Sequence, residues 1–173
     1  RMTIPLLSDL ESDASKLNLL LRLQIRRPLN LWAFKVVVAK STELEKIRIL
    51  GEMKGWAYEG EKGLQLDTMR VSQKAPVGVG HLIWAATMAW ALESTPCRQA
   101  RLLAIFDDEK QHARLTRYFK TRKFLLIREV SSSLSDLPLR MVWGGAGSLM
   151  VADCSEVLEY SSRLWQECTL QKN

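Results

Sequence analysis

The chain has 173 residues, 25 lysines and arginines against 19 aspartates and glutamates, and a formal charge of +6. This length suits a single domain with a sizeable core, and no apolar run approaches the roughly 18–20 residues of a membrane span. Cys97, Cys154 and Cys168 lack Cys-x-x-Cys spacing, which argues against a disulfide framework or a zinc site. They fit a reducing compartment, cytoplasm or an organelle matrix or stroma, and no secretory signal pattern opposes that.

Ser8-x-x-Glu11 has the form of a capping box, and Leu10, Ala14, Leu17 and Leu21 follow at helical spacing before Pro28. Together they predict a helix over 8–24. Leu31 to Ala39 and Ile47 to Tyr58 read as strands, the second bent near Gly51 or Gly55. A polar turn through Gly63 leads to a third strand, Leu64 to Val71. Then Val77-Gly78-Val79-Gly80 opens an apolar helix from His81 to Glu93. A strand, a glycine turn and a helix leave free N–H groups at the positive end of the helix dipole, a setting that suits phosphate. Lys74 lies just upstream with a full charge. Trp84 and Trp90 stand on this helix, which is apolar nearly all round and so needs cover on more than one side. A terminal helix or another subunit would supply it.

Thr95-Pro96 breaks the chain, and Arg101 to Phe106 reads as a buried strand. Asp107, Asp108 and Glu109 open a helix running to about Arg122, with acids where the dipole favours them. A strand from Phe124 to Val130, a loop over 131–138 and a strand from Leu139 to Met150 follow. Gly144, Gly145 and Gly147 interrupt the last of these. Asp153-x-x-Glu156 forms a second capping box before an amphipathic helix over 153–170. Three successive strands with short polar links predict an antiparallel meander in one mixed α/β domain over 1–173, its core about 31–150. Lys110, Arg114, Arg117, Lys120, Arg122, Lys123 and Arg128 stand together with no acid among them. Their local surplus exceeds that of the whole chain and points to an anionic ligand or a solvated helix face. Nucleic acid is disfavoured, because Leu115, Tyr118 and Phe119 are interleaved where packing needs them.

This order of elements resembles that of the GNAT family of N-acetyltransferases. The likeness is carried by Ala75-Pro76-Val77-Gly78-Val79-Gly80-His81-Leu82, by Ala104-Ile105-Phe106, and by the stretch from Ala113 to Phe124. It spans about 31–150. The resemblance implies a mostly antiparallel sheet flanked by helices, and acetyl transfer from acetyl-coenzyme A to a primary amine. Lys74, Val77, Gly78, Val79, Gly80, His81 and Leu82 would hold the pyrophosphate, largely through backbone N–H groups, and Phe119 would flank the cofactor. The strands Leu64–Val71 and Arg101–Phe106 would splay to receive pantetheine, and no metal is implied. Asp67 stands as the general base, with Glu52 and Glu59 as alternatives. Tyr118 or His112 stands as the proton donor, His112 lying seven residues before Phe119 and so on nearly the same helix face. The chain has Ala75, Phe119 and Lys123 where the family usually has Gln or Arg, Tyr and Gly. The alternative reading is a fold of this kind used as a binding or assembly module, as an oligomer or with protein partners, through its apolar helices.

Overall fold

Helix α1 (Leu7–Lys16) is shorter than the predicted helix over 8–24. The chain leaves it through Leu17 and Asn18, whose φ of 60° lies in the left-handed region that asparagine tolerates. Leu19–Arg26 then forms strand β1. The run Leu21-Arg22-Leu23-Gln24-Ile25-Arg26 alternates with period two, and pairing with the next strand along its whole length overrides the helical propensity of its leucines. Neither Ser8 nor Glu11 caps α1; the Asp9 carboxylate accepts the Leu6 N–H at 2.9 Å instead.

The computed structural model describes residues 4–105, 109–130 and 147–170. The predicted helix start at Asp107 and Asp108, the loop over 131–138, the strand from Leu139 and the glycines at 144 and 145 lie outside the described residues. Strands β2 (Trp32–Ser41), β3 (Ile47–Ala57) and β4 (Leu64–Val71) extend β1 into an antiparallel meander, one strand longer than predicted. After β4 come α2 (Val79–Ser94), β5 (Gln99–Ile105), α3 (Glu109–Thr121) and β6 (Leu125–Val130). Strand β7 (Gly147–Asp153) and helix α4 (Cys154–Leu170) complete the order. The fold is mixed α/β around one sheet of order β1-β2-β3-β4-β5-β7-β6, parallel at β4–β5 and antiparallel at the other pairings.

Helix α2 is the spine of the core. Every residue from Leu82 to Ala91 is buried, and its alanines let flanking elements approach closely. On the sheet side Phe34 packs on Trp90, ring centroids 5.1 Å apart. On another side α4 lies along α2 and buries Val157, Leu158 and Trp165. Helix α1 completes the cover, tied by the Leu7 N–H to Glu93 at 2.7 Å. The apolar surface of α2 is therefore covered within the chain. Phe34, Val36 and Val38 face this core, so strand alternation turns Ala33, Lys35 and Val37 to the opposite face. Gln24, Lys35, Lys54 and Thr68 stand in one cross-strand row there.

Candidate functional site

Strands β4 and β5 pair only at Leu64↔Ala100 and Gln65↔Arg101. Beyond those two rungs they part, so the facing backbone edges form no ladder with each other. A cavity of about 480 Å³ opens in the gap, lined by Leu66, Asp67, Leu102, Tyr118 and Phe119, with Trp84 among its walls.

Asp67 reaches that cavity because of a β-bulge. Lys54 pairs with Thr68 and Gly55 with Leu66, which leaves Asp67 as an extra residue without a cross-strand partner. Partial burial raises the pKa of its carboxyl above the ordinary carboxylate value, while side-chain hydrogen bonds from Gln65 and Trp56 oppose the shift. The Gln65 Nε2–Asp67 Oδ1 distance is 3.4 Å.

Tyr118 lines the same cavity from α3. Its hydroxyl oxygen accepts the Trp84 Nε1–H at 3.0 Å and the Arg122 Nε–H at 3.0 Å. Having accepted twice, the hydroxyl has its own proton left to donate. Arg122 is only 5% exposed. It donates through Nη1 to Ser161 Oγ at 3.2 Å and through Nη2 to His81 Nδ1 at 2.7 Å. A guanidinium only donates, so His81 accepts at Nδ1 and is neutral with its proton on Nε2. Burial first, and then the Arg122 charge, hold the His81 pKa down to about 4. One buried cation thus ties α2, α3 and α4 together behind the tyrosine.

The two glycines of the turn differ in kind. Gly78 is the N-cap of α2 with φ 103°, and a Cβ there would lie 3.0 Å from Cys168 Cβ and 3.2 Å from Trp165 Cε3. Conformation and packing both demand glycine at that position. At Gly80 a Cβ would come no nearer than 3.9 Å to Met69 and 4.0 Å to Val71, ordinary contact. Packing therefore leaves room at Gly80, and Met69 and Val71 themselves line the cavity. The Val79 N–H donates to Pro76 O and the Leu82 N–H to Gly78 O. The Gly80 and His81 N–H groups find no acceptor among the described residues, as expected for a first helical turn. The first turn of α2 thus lies beside two residues of the cavity lining, Met69 and Val71. Lys74 and Val77 are exposed upstream of it, Lys74 beside Lys40, Lys46 and Arg48 of the β2–β3 hairpin.

His112 is not brought to the cavity. About two helical turns before Phe119, roughly 10 Å along the axis, it meets β7 instead, with Nε2 2.8 Å from Ser148 Oγ. The Ser148 hydroxyl donates to the Glu129 carboxylate at 3.0 Å, so His112 is the donor to Ser148. Glu52 is engaged by Lys35 at 3.6 Å and Lys54 at 3.9 Å, and Glu59 is exposed in a turn. Phe119 does line the cavity, and it packs edge-on against Trp84 and Phe124. Sequence reasoning missed Arg122 and Trp84 as partners of the tyrosine. The available signal was the four-residue spacing of Tyr118 and Arg122 on one helix face.

Lys123 takes φ 80° just beyond α3, where Lys123 N–H bonds Lys120 O and Phe124 N–H bonds Phe119 O. This is a left-handed helix cap occupied by lysine in place of glycine.

No family model matches the chain, and no curated protein does. Among solved structures it is similar to an uncharacterised protein from Bacillus halodurans, at 15% identity, with 82% of this chain and 67% of that chain covered. The TM-score is 0.43, a likeness too loose to bear an argument. Among the described residues no helix is long and apolar enough to cross a membrane, and no His/Cys/Asp/Glu group could hold a metal ion.

Proposed function

We propose that the protein is an N-acyltransferase of the GNAT type, moving an acetyl group from acetyl-coenzyme A to a primary amine. The observation that carries this reading is the meeting of Asp67 and Tyr118 in the one cavity where β4 and β5 part. The cavity gives the pantetheine arm an apolar slot, and the first turn of α2, beside Met69 and Val71 of that lining, offers N–H groups to the pyrophosphate. Asp67, acting through a water, takes a proton from the amine. The nitrogen lone pair then forms the C–N bond at the thioester carbonyl carbon, the C–S bond breaks, and the nitrogen gives its surplus proton to solvent. The sulfur receives the Tyr118 proton. Trp84 and Arg122 donate to the oxygen that gives it up, compensating the charge left there until solvent returns a proton.

Calorimetry with acetyl-coenzyme A, followed by turnover on a broad amine panel, tests the reading. Tyr118→Phe should keep cofactor affinity and lower turnover by about 10²–10⁴, while His112→Ala should leave both near wild type. No binding at millimolar acetyl-coenzyme A would end the proposal. The alternative, a fold kept for binding partners, is favoured by the edge strand β6, which exposes Leu125, Leu126 and Ile127. Cofactor binding without turnover on any amine would support it.

A further inference from the structure

A second hollow, of about 580 Å³, lies on the open face of the meander, lined among others by Gln24, Arg26, Lys35, Lys54 and Trp56. Asp67 and Thr68 belong to its lining and to that of the acyl cavity, so the two spaces meet at the bulge. Lys35 and Lys54 stand directly opposite each other on neighbouring strands. Like charges in that relation repel, which a sheet normally avoids. The Glu52 carboxylate reaches both, at 3.6 and 3.9 Å, yet it offsets only one of the two charges. Arg26 adds a third cation to the same lining and has no ion pair among the described residues. Lys35 is 34% exposed, so its charge is only partly screened by water. The hollow therefore has a carboxylate at its junction with the acyl cavity and an under-compensated pair of lysines one to two strand spacings away, about 5–10 Å, with Arg26 one strand further, on β1.

We infer that this hollow is the acceptor site and that the acceptor is an amine bearing an anionic group, a carboxylate or a phosphate. Its amine is presented to Asp67 and its anion to Lys35 and Lys54, with Arg26 adding positive charge from β1 beyond them. The inference rests on the acyltransferase reading for the word acceptor, whereas the anion preference of the hollow stands on these cations alone.

Calorimetric titration without acyl donor separates the two. The probes are matched pairs: 4-aminobutyrate against 4-aminobutanamide for the carboxylate, phosphoethanolamine against ethanolamine for the phosphate. At least one anionic member should bind tenfold or more tightly than its neutral partner, and the stronger pair identifies the anion. Lys35→Gln and Lys54→Gln should each remove most of that preference, Lys54→Arg should retain it, and added salt should weaken it. Neutral partners binding equally well, or variants without effect, overturn the inference. Acetyl-coenzyme A is titrated into the same samples. Cofactor binding without anion preference overturns the acceptor assignment alone. Anion preference without cofactor binding overturns the acyltransferase reading and leaves an anion site, and failure of both overturns both.

Discussion

At the scale of single residues, the site depends on one charge that the protein keeps out of water. Arg122 has no carboxylate partner among the described residues; its neighbours are a hydroxyl on Tyr118, another on Ser161 and a neutral imidazole. That arrangement holds only while His81 is uncharged, since protonation would set two cations 2.7 Å apart. The unfolded chain takes up a proton at His81 near the ordinary value of 6.5, and the folded chain only near 4. Between those values the unfolded state binds more protons, so the contribution of His81 is complete above pH 6.5 and is lost as pH falls towards 4. Urea midpoints measured from pH 7 to 4.5 should fall across that window for the wild type, with a shallower slope for His81→Gln. Equal slopes would show that the imidazole is not linked to Arg122 in this way. None of this is legible in the sequence, where Arg122 looks like one more member of a basic run.

Secondary-structure elements were legible wherever their signal is local. Strands β3 and β4 and helix α2 agree with expectation to within about two residues, because alternation and the glycine turn are written in adjacent positions. Strand β1 was hidden because Leu10, Ala14, Leu17 and Leu21 also satisfy a helical period, and only pairing with β2 decides between them. The position of Asp67 can be read from the sequence, but its aim cannot. The bulge that turns it depends on the register of β3 against β4, which no single stretch encodes. The cap of α3 shows an element-scale cost instead. A left-handed lysine costs about 1–2 kcal/mol relative to an allowed backbone, and the Lys123 contact with the Tyr160 ring, 5.2 Å to its centroid, returns only part of that. Lys123→Gly should therefore raise stability by about 1 kcal/mol, read as a higher urea midpoint at unchanged m-value. A lowered midpoint would mean that the lysine side chain matters more than its backbone.

At the scale of the whole molecule, α2 organises the chain. The sheet, α1 and α4 cover it, and its N-terminal turn is wedged against the far end of α4 through Gly78, Trp165 and Cys168. Sequence reasoning finds the helix and its need for cover, whereas only the assembled fold shows that the covering helix also abuts the glycine turn. That wedge has a practical consequence for chemical labelling. Cys97 and Cys154 are buried, and burial above all, with the neighbouring Cys97 and Asp153, pushes the Cys154 thiol up to about 12. Cys168 is only half-buried, and it touches the turn that would receive pyrophosphate. A thiol-directed fluorophore should attach there first, at a rate that intact-protein mass spectrometry can follow, and acetyl-coenzyme A should slow it. Modification of Cys97 or Cys154 at the same rate, or indifference to acetyl-coenzyme A, would contradict this. Of the three thiols in these 173 residues, one thus serves as a reporter beside the turn.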